Sequence, residues 1–404
     1  MRNAAFVAVA ALAGSLALTP AAAFAAPGVN CAPPGESEVA ASWARSVLRA
    51  GSLGTIADGT GARVAVLSTG VDAGQPLLRQ RVLNGVDAVG GGFANEDCTG
   101  TGTQVAGVIA GRPGDPDMAG LAPNSRVLPI RVQLDDPAGS EVAPDALARG
   151  INQAAANGAD VVVVVSPAYR DAAGLRSAVE AAIDQGVVVV AAAGDLGGAD
   201  EGNPTPYPAA YRDVIGVGAI DQNGRIWPDS QRGDFVDLVA PGVAVPAPQT
   251  GRGLVEVSGT GVAAGFVGAA AALVHDRRPN LSAREVGRLL TGTAGPAPAG
   301  PAFGAGVVDP YAAITNQLVP AERRPLPGVE AVPPPDTAAA SRRRAYALIG
   351  AAAAGILVVV VAVAAAAMRR SRRQRWRPGM APALPVRDEP LEPGPPVMLL
   401  DERT

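Results

Sequence analysis

Four short glycine-rich segments carry the residues whose types and spacing could support chemistry. They are Ser68-Thr69-Gly70, Thr101 to Gly107, Gly194-Asp195, and Ser258 to Gly261. Hydroxyl groups in such turns can act as nucleophiles in acyl transfer, provided that a general base lies within hydrogen-bond reach. Whether these segments can catalyse a reaction therefore depends on where the chain supplies a base.

Candidate bases are scarce. The only histidine, His275, lies fourteen positions after Gly261, in what the Ala-rich pattern predicts to be the same helix. A helix rises by about 1.5 Å per residue, so the two positions are about 21 Å apart along the axis. The sequence contains no lysine, which excludes a serine–lysine dyad. We therefore expect His275 to be a surface or helix-end residue, and we expect Ser258 and Thr260 to have no base.

Other kinds of site receive little support from the sequence. The acidic pairs Asp115–Asp117 and Asp135-Asp136 could offer oxygen ligands to calcium, but isolated pairs in polar segments are more typical of solvated loops. We expect neither a metal nor another cofactor. The net charge of -4 gives the whole chain no field that would attract nucleic acid.

Alternating strands and helices must position the four segments. Between residues 57 and 317, Val-rich runs predict strands over 63–67, 127–130, 160–166, 187–193 and 214–219, and Ala-rich patterns predict helices over 144–157 and 175–185. Near-continuous apolar runs are typical of strands buried on both faces, and their alternation with helices favours a parallel sheet. We expect one α/β domain whose parallel sheet is covered by helices.

The N-terminal part predicts export. The apolar stretch 4–18, followed by Ala23-Phe24-Ala25, is typical of a signal peptide over residues 1–25. An uncleaved anchor is the alternative, although the apolar run is short for a membrane span. In an exported chain the two cysteines, Cys31 and Cys98, suggest one disulfide, and two free thiols are the alternative.

The C-terminal part predicts a single membrane span. Residues 345–368 are apolar and, as a helix, long enough to cross about 30 Å of hydrocarbon. Arginines bracket this run, which argues against a buried core helix, and the heavier arginine cluster follows it. The positive-inside rule then places the tail, 369–404, in the cytoplasm and the main domain outside. A polar extension, 26–56, precedes the main domain, and a Pro-rich linker, 318–341, follows it.

In order and context, the four segments resemble those of the subtilisin-like serine proteases, the subtilases. In that family the first carries Asp-Thr-Gly, the second His-Gly-Thr, the third an oxyanion-binding Asn, and the fourth Gly-Thr-Ser. Gly120-Leu121-Ala122-Pro123, Gly216 to Ala219, and Val239-Ala240-Pro241-Gly242 are similar to further family segments. The resemblance covers about residues 57–317 and implies the three-layer subtilisin-like fold.

The chain departs from the subtilase pattern at the positions that carry chemistry. The positions of the family's Asp, His and Ser hold Ser68, Thr101 and Gly261. Asp195 replaces the oxyanion-binding Asn. The reaction needs a nucleophile, a base and a residue that orients the base, and none of the three is present. Flanking residues such as 103–107 keep the family pattern, so a shifted alignment does not explain the changes. We therefore expect an inactive protease.

The arrangement of segments is similar to that of mycosins, the membrane-anchored subtilases of type VII secretion systems. Mycosins share the signal peptide, an N-terminal extension with a cysteine, a second cysteine before the His motif, the Pro-rich linker and the C-terminal span. The resemblance implies a Cys31–Cys98 bridge and a structural or interaction role in a type VII secretion membrane complex. The high content of Arg, Ala, Gly and Pro also suggests a high-GC bacterium such as an actinobacterium.

Two other functions stay open at this point. The first is a peptide-binding module that uses the former substrate cleft, with Ser166 and Pro167 on the strand that lines it and backbone pairing as the means of recognition. The second is an active serine endopeptidase with unconventional catalytic residues.

Overall fold

A computed structural model describes most of the chain. The described residues are 31–36, 42–112, 119–135, 141–198, 202–315 and 338–373, and the chain divides into two units at Arg323 and Arg324. The predicted signal peptide, most of the predicted linker and most of the predicted tail lie outside the described residues. Asp115, Asp117 and Asp136 also lie outside them.

A seven-stranded parallel sheet forms the centre of the first unit. Its strands are β1 (Arg63–Ser68), β2 (Val86–Asp87), β3 (Arg126–Arg131), β4 (Val161–Val164), β5 (Val188–Ala192), β6 (Ile215–Ile220) and β7 (Leu238–Pro241). They are hydrogen-bonded in the order β2-β3-β1-β4-β5-β6-β7, and each neighbouring pair is parallel. Every residue of β4 and β5 is buried, because helices cover both faces of the sheet. This burial explains the uninterrupted valine runs in the sequence.

Seven α-helices belong to the described part of this unit. They are α1 (Trp43–Val47), α2 (Thr101–Ala110), α3 (Pro144–Ala156), α4 (Ala173–Asp184), α5 (Thr260–Arg277), α6 (Ala283–Gly292) and α7 (Pro310–Thr315). Helix α3 packs against α4, whereas α2 packs against α5. Helix α5 is buried on all sides over residues 260–274 and contacts β4, β5 and β6. Glycine permits this approach, since a Cβ at Gly268 would lie 2.3 Å from Val163 Cγ2.

The predicted α/β architecture is confirmed, with the five predicted strands present and their ends shifted by one or two residues. The prediction missed β2, β7, α6, α7 and an antiparallel hairpin of β8 (Val245–Pro248) and β9 (Leu254–Val257). The hairpin was not predicted because β8 contains Pro246 and Pro248, and prolines in a sequence pattern argue against a strand. A two-stranded ladder tolerates them where no N–H is needed for pairing.

The first described residues of the N-terminal extension, 31–36, are joined to the rest of this unit by a covalent bond and a short backbone pairing. Cys31 and Cys98 form a disulfide with a Cα–Cα distance of 4.4 Å, which confirms the expected bridge. The N–H groups of Glu36 and Leu254 each donate to the other residue's carbonyl oxygen at 2.8 Å. Gly35 permits this pairing, because a Cβ there would lie 2.3 Å from the carbonyl oxygen of Leu254.

The second unit contains one described helix, α8 (Ala338–Arg373). Residues 342–372 of this helix are long and apolar enough to cross a membrane. An 18-residue window reaches a mean hydropathy of 2.7, and none of it is buried. The predicted span at 345–368 therefore coincides with a candidate membrane-spanning helix.

Candidate functional site

Three of the four glycine-rich segments converge on one cavity of about 350 Å³. Thr101 at the start of α2, Asp195 in the loop after β5, and Gly261 in the first turn of α5 all line it. Parallel strands end at the same edge of their sheet, so loops that are distant in sequence meet there. The other lining residues are Gln104, Val105, Val165, Ser166, Pro167, Tyr169, Trp227, Asp229, Val257, Ser258, Gly259, Thr260 and Val262.

Ser68 is buried beside the start of α2 and does not line the cavity. It is the last residue of β1 and is fully buried, and its hydroxyl has no hydrogen-bond partner among the described residues. Gly102 allows α2 to begin close to Ser68 and Gly70, because a Cβ at Gly102 would lie 1.9 Å from the Gly70 carbonyl oxygen and 3.2 Å from the Ser68 Cβ. The predicted position therefore adjoins the site, but its hydroxyl is not presented to a ligand.

Asp97 stabilises the start of α2. Its carboxylate accepts hydrogen bonds from the Thr69 hydroxyl at 2.8 Å and the Gly100 N–H at 3.0 Å. It also accepts the N–H and hydroxyl of Thr103 at 2.9 and 2.7 Å. A carboxylate here satisfies N–H groups that the helix leaves unpaired and meets the positive end of its dipole. No role was predicted for Asp97, although an acidic residue just before the start of a helix is a capping signal.

Asp195 is bound to the start of α5. Thr260 donates its N–H at 2.9 Å and its hydroxyl at 2.6 Å to Oδ1 of Asp195. The same hydroxyl oxygen accepts the N–H of Gly194 at 3.0 Å. A carboxylate therefore already occupies the helix end at which unpaired N–H groups favour an anion. Negative charge that develops on a ligand at this point would meet a second negative charge.

Gly261 packs against the residue that follows β4. A Cβ at Gly261 would lie 2.6 Å from Val165 Cγ1 and 2.7 Å from the Val165 carbonyl oxygen. The side chain of Val165 can rotate, but its carbonyl oxygen moves only if the backbone moves. A serine at this position would therefore require α5 or the end of β4 to shift. The sequence shows a glycine at this position, and the structure adds that Val165 fills the space that a side chain would need.

The expected position of His275 is confirmed. It lies in the last turn of α5, at the end of the helix remote from Gly261, with Nε2 at 3.5 Å from Asp160 Oδ1. The charged side chains that line the cavity are Asp195 and Asp229. Among the described residues, no group of three or more His, Cys, Asp and Glu could hold a metal ion. Asp135, the described member of its acidic pair, is exposed.

The chain that follows β4 offers few backbone groups for pairing with an extended ligand. Pro167 has no N–H, and its carbonyl oxygen accepts the N–H of Val142 at 3.0 Å. Ala168 donates to Tyr207 at 2.8 Å and accepts from it at 2.7 Å. Strand addition needs a row of unpaired N–H and C=O groups. The groups at Pro167 and Ala168 are not available for it.

The chain is similar in sequence to known proteases. The model of the subtilase family matches residues 59–315. Subtilisin DY of Bacillus licheniformis is 35% identical over 236 residues, which cover 58% of this chain and 84% of that protein. Mycosin-1 of Mycobacterium tuberculosis is 32% identical over 352 residues, which cover 72% of this chain and 78% of mycosin-1.

Solved structures give the same result. The structure of the serine protease MycP1, described as an essential component of the type VII (ESX-1) secretion system, matches with a TM-score of 0.62 and 31% identity. The match covers 71% of this chain and 93% of that one. The MycP3 protease of the type VII (ESX-3) secretion system matches with a TM-score of 0.61 and 30% identity, over 71% of this chain and 92% of that one.

Proposed function

The chain belongs to the subtilase family, and we propose that it is a catalytically inactive, mycosin-like member, a pseudoprotease. The proposal assigns Ser68, Thr101 and Gly261 to the positions of the family's Asp, His and Ser. The contact between Gly261 and Val165 carries the proposal. Since the space that a serine Cβ would need is filled by Val165, the site is adapted to the absence of a nucleophile.

The remaining substitutions support the same conclusion, each for its own reason. Thr101 has no group that titrates near neutral pH, so it cannot accept the proton of a hydroxyl nucleophile. The Asp195 carboxylate stands where the family has a hydrogen-bond donor for the oxyanion, and losing such a donor costs about 3–4 kcal/mol of transition-state stabilisation. Ser258 and Thr260 line the cavity, but neither histidine nor lysine accompanies them.

We also propose that the protein acts through protein–protein contact in a type VII secretion membrane complex. The similarity to mycosin-1 and to MycP1 supports this assignment. The candidate span in α8 and the disulfide-bound N-terminal extension match the mycosin arrangement. The positive-inside rule gives the orientation that we propose: the protease-like domain lies outside the cytoplasm and residues 369–404 lie inside it.

Activity is tested with a fluorophosphonate probe, which labels reactive serines, and with unfolded casein as a general protease substrate. We expect neither label nor casein fragments from the purified full-length protein, under conditions in which subtilisin DY gives both. A labelled Ser258, identified by peptide mapping, would instead establish an active endopeptidase with unconventional residues.

The proposed partnership is tested by purifying the tagged full-length protein from its native membrane in mild detergent. We expect secretion membrane components to co-purify in stoichiometric amounts. A matched variant with α8 replaced by an unrelated membrane span keeps the protein in the membrane. If the folded extracytoplasmic domain makes the contact, this variant retains the partners. Purification of the unaltered protein without any secretion component contradicts the proposal.

A further inference from the structure

Among the described residues, the charged side chains that line the cavity have a single sign. Asp195 and Asp229 are its charged residues, and the described lining includes no arginine. Asp229 is exposed, and it forms no ion pair within the described part of the chain. The start of α5 would ordinarily attract an anion, but the carboxylate of Asp195 already accepts two hydrogen bonds from Thr260 there. The negative charge of the cavity lining therefore disfavours the binding of an anionic ligand.

Two aromatic side chains, Tyr169 and Trp227, lie in the same lining and are half-buried. The Tyr169 hydroxyl donates to Gln231 Oε1 at 2.9 Å, which restrains the ring. Aromatic rings attract guanidinium and ammonium groups through the negative charge density of their faces. Carboxylates and aromatic rings in one concave site are therefore complementary to a cation with an apolar stem.

We propose that this cavity binds an arginine or lysine side chain presented by a segment of a partner protein. The inference rests on the proposed non-catalytic function and specifies which chemistry the former cleft recognises. A volume of about 350 Å³ is near the lower end of the range for ligand pockets, which suits one long side chain better than a bulky ligand. Because the backbone groups of Pro167 and Ala168 are occupied, side-chain recognition replaces backbone pairing.

The test uses the full-length protein in detergent and two capped hexapeptides of sequence Ala-Ala-Arg-Ala-Ala-Ala, one with citrulline in place of arginine. Citrulline keeps the shape of arginine and removes its charge. We expect calorimetry at 50 mM salt to show about tenfold tighter binding of the arginine peptide. The difference shrinks at 500 mM salt, because ions screen the exposed carboxylate of Asp229.

Variants assign the binding to the cavity. Asp229→Asn and Trp227→Ala each reduce the affinity for the arginine peptide about fivefold. Glu256→Gln on β9 is the matched control, because Glu256 is exposed and outside the lining, and its loss changes the net charge by the same amount. This control keeps the affinity of the unaltered protein. Since Asp229 is exposed, its variant folds and tests the inference even if Trp227→Ala proves unstable.

The results separate the two proposals. Equal affinity for the arginine and citrulline peptides, or the same loss of affinity in Glu256→Gln as in Asp229→Asn, overturns the inference of a cation site. Mass spectrometry of the peptides recovered after titration tests the non-catalytic function on its own. Cleaved peptide overturns the proposed function, whereas intact peptide bound without charge preference overturns only this inference.

Discussion

Asp195 accepts two hydrogen bonds at Oδ1 from one residue, Thr260, whose hydroxyl lies at 2.6 Å and whose backbone N–H lies at 2.9 Å. The two residues come from different strand-end loops, one after β5 and one at the start of α5. Their contact places a carboxylate of the protein itself at the start of α5, where unpaired N–H groups would otherwise favour a bound anion. The residue that we propose replaces the oxyanion-binding Asn therefore also contacts the start of this helix.

The first prediction concerns this contact. Asp195→Ala removes a carboxylate cap from α5, and we expect it to destabilise the protein by about 1–2 kcal/mol. Asp195→Asn retains an oxygen acceptor and costs less. In thermal unfolding measured by circular dichroism, the melting temperature is highest for the unaltered protein, lower for Asp195→Asn and lowest for Asp195→Ala. Equal melting temperatures for Asp195→Ala and the unaltered protein would show that the hydrogen bonds between Thr260 and Asp195 do not stabilise the fold.

The second prediction concerns Gly261. Gly261→Ser places a Cβ against the carbonyl oxygen of Val165, and we expect a loss of about 1–3 kcal/mol of stability without any gain in activity. Gly261→Ala introduces the same Cβ without the hydroxyl and costs the same. Differential scanning fluorimetry measures both.

Gly174 provides the matched control for this substitution. It lies in α4, is exposed, and has no atom within 4 Å of the position a Cβ would take. Gly174→Ala keeps or slightly raises the melting temperature, because alanine favours a helix over glycine by about 1 kcal/mol. A Gly261→Ser variant as stable as Gly174→Ala would show that the backbone at the end of β4 can shift with little loss of free energy of unfolding.

The third prediction concerns the disulfide between Cys31 and Cys98, which are 67 positions apart in sequence. Replacing both cysteines with serine restores freedom to the unfolded chain, and we expect a loss of up to about 4 kcal/mol on the chain-entropy model. Limited proteolysis then cuts near residues 31–36 sooner, since the other described backbone contacts of this segment are short, such as the Glu36–Leu254 pairing. An unchanged cleavage rate would mean that these contacts suffice.

The fourth prediction concerns alkaline stability. Burial, followed by the hydrogen bond to the Asp171 carboxylate, raises the pKa of Tyr211 to about 12, although the N–H of Ala172 favours the ionised form. A phenol is neutral below its pKa, and in the unfolded chain that pKa is about 10. The stabilising contribution of Tyr211 is therefore complete below pH 10 and is lost as the pH rises from 10 to 12.

Unfolding between pH 9 and 12 tests this contribution. Tyr211→Phe cannot ionise, so its stability falls less steeply over that interval than that of the unaltered protein. Identical profiles for the two proteins would exclude Tyr211 as the group responsible.

The sequence by itself determined most strands of the central sheet and the residue types on which the predicted loss of catalysis rests. Valine runs identify β1, β3, β4, β5 and β6, since a strand buried on both faces has no polar alternation. The residue types at 68, 101 and 261 led to the prediction that these positions do not form a Ser-His-Asp triad, because reactivity belongs to the side chain. The two cysteines permitted a single pairing, and the apolar run near the C-terminus met the length of a membrane span.

Only the tertiary structure decided where those positions lie and which residues they contact. It placed Thr101, Asp195 and Gly261 around one cavity and left Ser68 outside its lining. It also filled the space beside Gly261 with Val165. These relationships depend on how separate loops meet at one edge of the sheet. Asp195 and Thr260, 65 positions apart, and Gly261 and Val165 come into contact there through packing, which local sequence patterns do not encode.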